Sequence, residues 1–169
     1  MKRLLPFLFA VVSATLIETA PAQIADKVVR TKIAGIDLIA CKTDVQDVVN
    51  FRGSLPAGDS FAPKDNVAIP TLVGEMLDQG TTQHDKFAIA QQLDDIGAAI
   101  NFSVAGVMVE FSGKCLRKDL PVVVSLLAEQ LRTPSFPESE FEKVKKQMTG
   151  DLQRAMESTA YRARQAFSE

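Results

Sequence analysis

The chain has 169 residues, of which 46% are hydrophobic and 24% are charged, and its formal net charge is −2. This length suits one domain with a substantial core, and the low net charge excludes both a strongly basic nucleic-acid-binding protein and a disordered chain. His84 is the one histidine in the sequence, so a zinc site built on two histidines cannot form within it.

The N-terminal segment has the pattern of an export signal. Lys2 and Arg3 precede an apolar run over residues 4–17, and Ala20-Pro21-Ala22 supplies small residues at a cleavage site. The alternative is a membrane anchor, but the run falls short of the roughly 20 residues that a spanning helix needs. We therefore predict a cleaved signal peptide at residues 1–22 and a mature chain at 23–169. It is expected to cross the inner membrane, to reach a bacterial periplasm and to have no membrane contact after cleavage.

Three strands are predicted at the start of the mature chain. Residues 27–33 and 36–41 flank a turn at Ala34-Gly35, and residues 46–55 form a third extended run. Cys41 and Cys115 both fall at the ends of strand-like segments. In an oxidising compartment they could form a disulfide, or they could be two buried thiols that act as small hydrophobic groups.

Two helices are predicted next. Asp65 or Asn66 can cap the first, Gly80 ends it, and its apolar residues share one face: Ile69, Leu72, Val73, Met76 and Leu77. Thr82 and Asp85 resemble a capping box for the second, which stops at Gly97. Helical spacing predicts that this second helix turns four residues inward, namely Phe87, Ala90, Leu93 and Ile96.

The segments from residue 98 to the end of the chain complete a predicted α+β arrangement. Residues 98–104 and 107–112 read as a strand pair, and residues 118–131 as a third helix. From Glu138 onward, apolar and small residues follow helical spacing to the end of the chain: Phe141, Val144, Met148, Leu152, Ala155, Thr159, Ala163 and Phe167. No stop signal interrupts this segment, so we expect one long helix in a domain truncated at its C-terminal end. This element order predicts helices packed on one face of a sheet.

Five segments, in chain order, carry a resemblance to a known family. They are Phe51-Arg52-Gly53-Ser54, residues 66–81, Leu93-Asp94-Asp95-Ile96-Gly97-Ala98, Leu131-Arg132-Thr133-Pro134-Ser135-Phe136 and Phe141-Glu142-Lys143-Val144-Lys145. Together they resemble the N-terminal domain of the pitrilysin/insulinase peptidases, which include the mitochondrial processing peptidases, over roughly residues 31–167. The resemblance implies a two-layer sandwich of a mostly antiparallel sheet with helices on one face, as in the processing-peptidase-like metallohydrolase fold.

Active members of that family carry an inverted zinc motif, H-x-x-E-H, on the first helix. Histidines at i and i+4 lie on one helical face, and the glutamate activates the attacking water. The resemblance places Thr71 at the first histidine, Gly74 at the glutamate and Glu75 at the second histidine. Asp151 falls where a glutamate on the long helix should complete the ligand set. Every catalytic position is therefore substituted, and we expect no catalytic residue, no bound metal and no cofactor in this chain.

These substitutions imply a non-catalytic subunit that pairs with an active zinc peptidase of the same family and helps to enclose or bind an unfolded peptide. Zinc is expected only in that partner. The alternative is a stand-alone periplasmic peptide-binding or structural module of the same fold. An active zinc metalloendopeptidase is the third reading. Glu75, Asp151 and Thr71 could instead hold a hard cation through oxygen atoms, or they could be ordinary polar residues. His84 is expected to be a surface residue at a helix start.

Overall fold

The computed structural model of the chain describes residues 25–167. The chain divides after Asp44 into two compact units, which are described separately below. The predicted signal peptide at residues 1–22 lies outside the described residues. Among the helices of the described part, none is both long enough and apolar enough to cross a bilayer.

The first unit is a β-hairpin. Strands β1 (Val28–Ile33) and β2 (Ile36–Cys41) pair antiparallel, with Val28 opposite Cys41 and Ile33 opposite Ile36. The turn residues Ala34 and Gly35 both have positive φ angles, 48° and 87°. Two positive φ angles in a two-residue turn match the right-handed twist of paired strands. The two predicted strands and their turn are confirmed.

The second unit is built around a three-stranded antiparallel sheet. Its strands are β3 (Val48–Leu55), β4 (Ala99–Ala105) and β5 (Met108–Leu116), and their spatial order is β3-β5-β4. Strand β5 runs four residues beyond the predicted end at Ser112, because it pairs with β3 over residues 109–116, with Leu116 opposite Val48. Strand β5 is therefore the central strand, and β3 and β4 are the edges.

The two faces of this sheet differ in chemistry. One face is polar, whereas the face that packs on the helices is apolar and contains two glycines, each covered by a ring from the neighbouring strand. A Cβ atom at Gly53 would lie 2.1 Å from the Phe111 ring, and one at Gly113 would lie 2.2 Å from the Phe51 ring. The rings can lie flat across the sheet only because these positions lack a side chain.

Five α-helices complete the second unit. They are α1 (Ile69–Met76), α2 (Lys86–Asp95), α3 (Leu120–Arg132), α4 (Glu138–Glu157) and α5 (Thr159–Ala166). Helices α1 and α2 pack on β4, and α3 packs on β5. The buried apolar residues come from both layers: Met76, Leu77, Ile89, Val109, Cys115, Val123, Leu126 and Leu127. The predicted α+β class, with an antiparallel sheet and packed helices, is confirmed.

The start of α2 differs from the prediction. Asp85 is the N-cap, and its carboxylate accepts a hydrogen bond from the backbone N–H of Ala88 at 2.8 Å. Thr82 cannot begin the helix, because the preceding segment is extended and forms bridges between Gly80 and Asp85 and between Thr81 and Pro134. The prediction of an inward Phe87 and Ala90 is also wrong, since both are exposed. The buried residue of α2 is Ile89.

The long C-terminal helix is also shorter than predicted. Helix α4 ends at Glu157, and Ser158 is extended, with a ψ angle of 124°, before α5 begins. Serine competes for backbone hydrogen bonds and is poorly suited to a helix interior, so it accounts for the break without glycine or proline. Beyond the break, the residues that were expected to face inward are exposed: Thr159, Ala163 and Phe167, of which Phe167 is 94% exposed.

Candidate functional site

Helix α1 carries the positions of the substituted motif. It begins at Ile69 with Pro70 in its first turn, where a missing N–H costs nothing. The predicted cap by Asp65 or Asn66 is wrong, because the N-cap is Ala68 and no side chain caps the helix. Instead, Asn66 Oδ1 accepts a hydrogen bond from the N–H of Ala68 at 3.3 Å, which shapes the turn that leads into the helix.

The three motif residues of α1 have different surroundings. The Thr71 hydroxyl donates to the Asp59 carboxylate at 3.4 Å. Gly74 is buried, and a Cβ atom there would lie 2.3 Å from Cγ2 of Val104 on strand β4. Glu75 is exposed. Position 74 is therefore a packing contact between helix and sheet, which is the close approach that a glycine inside a helix suggests.

A cavity of about 430 Å³ lies between α1 and α4, and it brings Glu75 and Asp151 together. The resemblance had matched these two residues to ligands of one zinc ion, and the fold places both in the lining of one cavity. Lys86, Glu140 and Lys143 line the same cavity. We call it the α1–α4 cavity.

The lining of the α1–α4 cavity holds three carboxylates and two ammonium groups, and several of these charges are paired with one another or with neighbouring residues. Glu140 is nearly buried and accepts hydrogen bonds from Lys143 Nζ at 2.7 Å and from Lys86 Nζ. These bonds, with Lys143 contributing most, hold the pKa of the Glu140 carboxyl below its ordinary value. Asp151 forms an ion pair with Arg154. Two of the carboxylates in this cavity are thus already paired with cations of the chain.

The residues of the α1–α4 cavity do not fit a zinc ion. Thr71 and Gly74 do not line the cavity: the Thr71 hydroxyl is bonded to Asp59, and position 74 offers no side chain. Of the three carboxylates in the lining, Glu140 and Asp151 are already paired with cations. Within residues 25–167, no group of three histidine, cysteine or carboxylate side chains is placed to hold a metal ion. No water-activating base stands at position 74.

His84 lies at the start of α2, directly before the N-cap Asp85, and its partly exposed side chain is paired with a neighbouring helix. Its ring nitrogen Nδ1 lies 3.0 Å from Oε1 of Glu129 on α3, and its side chain is one-third exposed. The hydroxyl of Thr81 donates to the same carboxylate. Burial raises the pKa of Glu129, but the bonds from Thr81 and His84 outweigh it and hold the pKa below its ordinary value. This cluster fastens the segment before α2 to helix α3.

Sequence reasoning missed both buried carboxylates. Glu129 meets His84 across 45 positions of the chain, and Glu140 meets Lys86 across 54. Neither spacing leaves a local pattern. The one available signal was Glu129 as the single acidic residue of a mostly apolar helix, and this signal does not identify a partner.

Both cysteines are free thiols in the structure. Cys115 is buried beneath the helices and has a raised pKa, chiefly because burial disfavours the thiolate. Cys41 lies at the end of β2 and is exposed. The expectation of two buried thiols therefore holds for Cys115 alone.

A two-layer α+β domain whose first helix carries a substituted metal motif defines a class: a metallopeptidase-type domain that lacks the catalytic motif. The chain belongs to the insulinase family, peptidase family M16, whose family model matches residues 38–168. The resemblance found in the sequence is thus confirmed, and the chain is a member in which the catalytic motif is missing.

Two relatives agree with this assignment. A curated protein of Helicobacter pylori named non-peptidase homolog YmxG is 26% identical over 102 residues, which cover 60% of this chain and 23% of that protein. The crystal structure of a peptidase M16 inactive domain from Pseudomonas fluorescens matches with a TM-score of 0.75 at 22% identity, covering 80% of this chain and 34% of that chain. The second match supports the fold. The chain spans about a quarter of the curated relative and a third of the solved one.

Proposed function

We propose that this chain is a non-catalytic subunit that holds an extended peptide for an active zinc peptidase of the same family, in a bacterial periplasm. One observation carries the proposal. An open strand edge, β4, lies against the helix whose zinc motif is substituted, so the peptide-binding part of the site remains without its chemistry. The periplasmic location rests on the N-terminal signal pattern.

Strand β4 is suited to pairing with a peptide. It pairs with β5 on one side, and within the described residues no backbone hydrogen bond reaches its other side. Its exposed side chains are small or polar, namely Ala99, Asn101, Ser103 and Ala105. A peptide added to such an edge gains main-chain hydrogen bonds, whatever its sequence. Weak sequence selectivity of this kind suits a subunit that handles unfolded substrates.

The same strand lies beside the motif helix. Val104 of β4 contacts Gly74 of α1, and the next residue, Glu75, lines the α1–α4 cavity. A peptide on β4 would therefore run past positions where active relatives cut. Because neither zinc ligands nor a base stand here, cleavage has to come from another subunit.

The proposal is tested by native mass spectrometry with metal analysis of the mature chain, alone and mixed with an active zinc peptidase of the same family from the same organism. We expect a one-to-one complex whose zinc belongs to the peptidase, together with altered cleavage of unfolded peptides. Absence of both the complex and the change in cleavage contradicts the proposal. A chain that binds peptide but never associates is the stand-alone module instead.

Peptide binding at β4 is tested separately by titrating isotopically labelled chain with an unfolded peptide and following backbone amide signals. We expect the largest shifts at residues 99–105. The matched control is the same peptide with alternate backbone amides methylated, which removes its hydrogen-bond donors and leaves its side chains unchanged. Equal binding of both peptides would contradict pairing at the strand edge.

A further inference from the structure

The polar face of the three-stranded sheet contains a second cavity, of about 430 Å³, that spans all three strands. We call it the sheet-face cavity. The side chains of this face that line it come from β3, β4 and β5: Asn50, Arg52, Ala99, Asn101, Ser112 and Lys114. Helix α1 contributes no residue to its lining.

The strand register arranges the polar side chains of the cavity in two rows. Arg52, Ser112 and Asn101 lie opposite one another across the three strands, and the neighbouring row is Asn50, Lys114 and Ala99. Arg52 and Lys114 are thus diagonal neighbours on one face, at a separation that long side chains can span. The cavity offers a guanidinium, an ammonium, a hydroxyl and two amides as hydrogen-bond donors.

The charge of the sheet-face cavity is positive and uncompensated. No carboxylate lines it, and within the described part of the chain neither Arg52 nor Lys114 forms an ion pair or a side-chain hydrogen bond. Glu110 is on the same face, but it lies opposite Ser54 and Ser103, in the next row. Two adjacent cations on a protein of net charge −2 favour an anionic ligand.

Lys114 lies one strand in from the open edge, with only Ala99 between it and that edge. A peptide added to β4 would lie about 4.8 Å beyond it, with alternate side chains on the polar face. The alanine methyl leaves the space above that row free. The flexible stem of Lys114 can therefore reach over Ala99 toward a side chain of the added peptide.

We propose that the peptide held on β4 carries an aspartate or glutamate at the position beside Ala99, and that Lys114, assisted by Arg52, binds this carboxylate. The inference rests on the proposed function, because it assigns sequence preference to the same peptide. It makes the sheet-face cavity a specificity site for acidic segments of an extended chain.

The test compares two fluorescent peptides that differ only in glutamate against glutamine at the central position, using fluorescence anisotropy. We expect the glutamate peptide to bind roughly 3- to 10-fold more tightly at about 0.1 M salt, with most of this difference lost at about 1 M. Lys114→Gln should remove most of the preference and Arg52→Gln part of it. Lys114→Arg should keep it.

The matched control is Lys64→Gln, which removes an exposed lysine that forms no ion pair in the described residues. It should leave the preference unchanged, and circular dichroism checks that every variant is folded. Equal binding of the two peptides refutes the acidic preference but leaves peptide binding intact. Failure of both peptides to bind refutes the proposed function as well. If Lys64→Gln lowers the preference for the glutamate peptide as much as Lys114→Gln does, the preference comes from the overall charge of the chain and the proposed site is refuted.

Discussion

Gly74 offers a direct test of how the motif helix packs. It lies inside α1, where alanine is intrinsically better than glycine by about 1 kcal/mol. Gly150 inside α4 provides the matched control, because a Cβ atom there would meet only Arg154 Nη1, at an ordinary distance of 3.6 Å. Gly74→Ala and Gly150→Ala thus make the same change in two helices with different surroundings.

The expected difference follows from one contact. The new Cβ at position 74 would lie 2.3 Å from Cγ2 of Val104, whereas carbon atoms in contact normally lie about 3.5–4.0 Å apart. Valine on a strand has few alternative rotamers, and overpacking of this kind costs about 1–3 kcal/mol. Gly150→Ala should therefore raise the free energy of unfolding by up to about 1 kcal/mol. The free energy of unfolding of Gly74→Ala should be about 1–3 kcal/mol lower than that of Gly150→Ala.

Urea unfolding followed by far-UV circular dichroism is the suitable assay, because the chain has no tryptophan and one tyrosine. Repeating Gly74→Ala in a Val104→Ala background removes the clash, so the alanine should become stabilising there, with a coupling of about 0.5–3 kcal/mol between the two sites. If Gly74→Ala stabilises the native chain as much as Gly150→Ala does, the packing argument is wrong. The argument would also be refuted if the effects of Gly74→Ala and Val104→Ala on the free energy of unfolding were strictly additive.

Two further predictions concern the segment before α2. Asp85→Ala should lower the free energy of unfolding by about 1 kcal/mol through loss of the N-cap, while Thr82→Ala, which removes no cap, should change it little. Glu129 has a lowered pKa, so its contribution is complete above the unfolded-state value of about 4.3 and is lost as the pH falls through the folded-state value. The advantage of the native chain over Glu129→Gln should therefore shrink in urea titrations below about pH 4; an advantage independent of pH would contradict the role of Thr81 and His84.

Local rules explain what the sequence could predict. The β1–β2 hairpin follows from two alternating runs around Ala34-Gly35, and both residues take the left-handed conformation that this turn requires. The second hairpin follows in the same way from Gly106, whose φ angle is 57°. That Glu75 and Asp151 lie near each other could be predicted only from the family resemblance, which matches both to ligand positions of one zinc ion. Two residues 76 positions apart leave no local signal in the sequence.

The features that the sequence predicted wrongly, or did not predict, depend on tertiary contacts. Thr82 has the composition of a cap, but bridges at Gly80 and Thr81 hold its segment extended. The helical spacing of apolar residues in the last segment continues across Ser158, although the helix itself ends at Glu157. Such spacing shows which face of a helix each residue would occupy, but it does not show whether the backbone remains helical. The pairing of Glu129 with His84 depends on how α3 lies beside the segment before α2, and no pattern within either segment encodes it.

The α1–α4 cavity shows that loss of catalysis here extends beyond the ligands. Replacing the glutamate of the motif by Gly74 removed a base, and Val104 now occupies the space that a side chain at that position would need. Lys143 and Lys86 line the α1–α4 cavity and form ion pairs with Glu140, so this carboxylate is already paired within the chain. The surrounding packing and electrostatics thus agree with the substituted motif, while the edge of β4 stays open. This combination is what a subunit needs if it holds peptides that another subunit cuts.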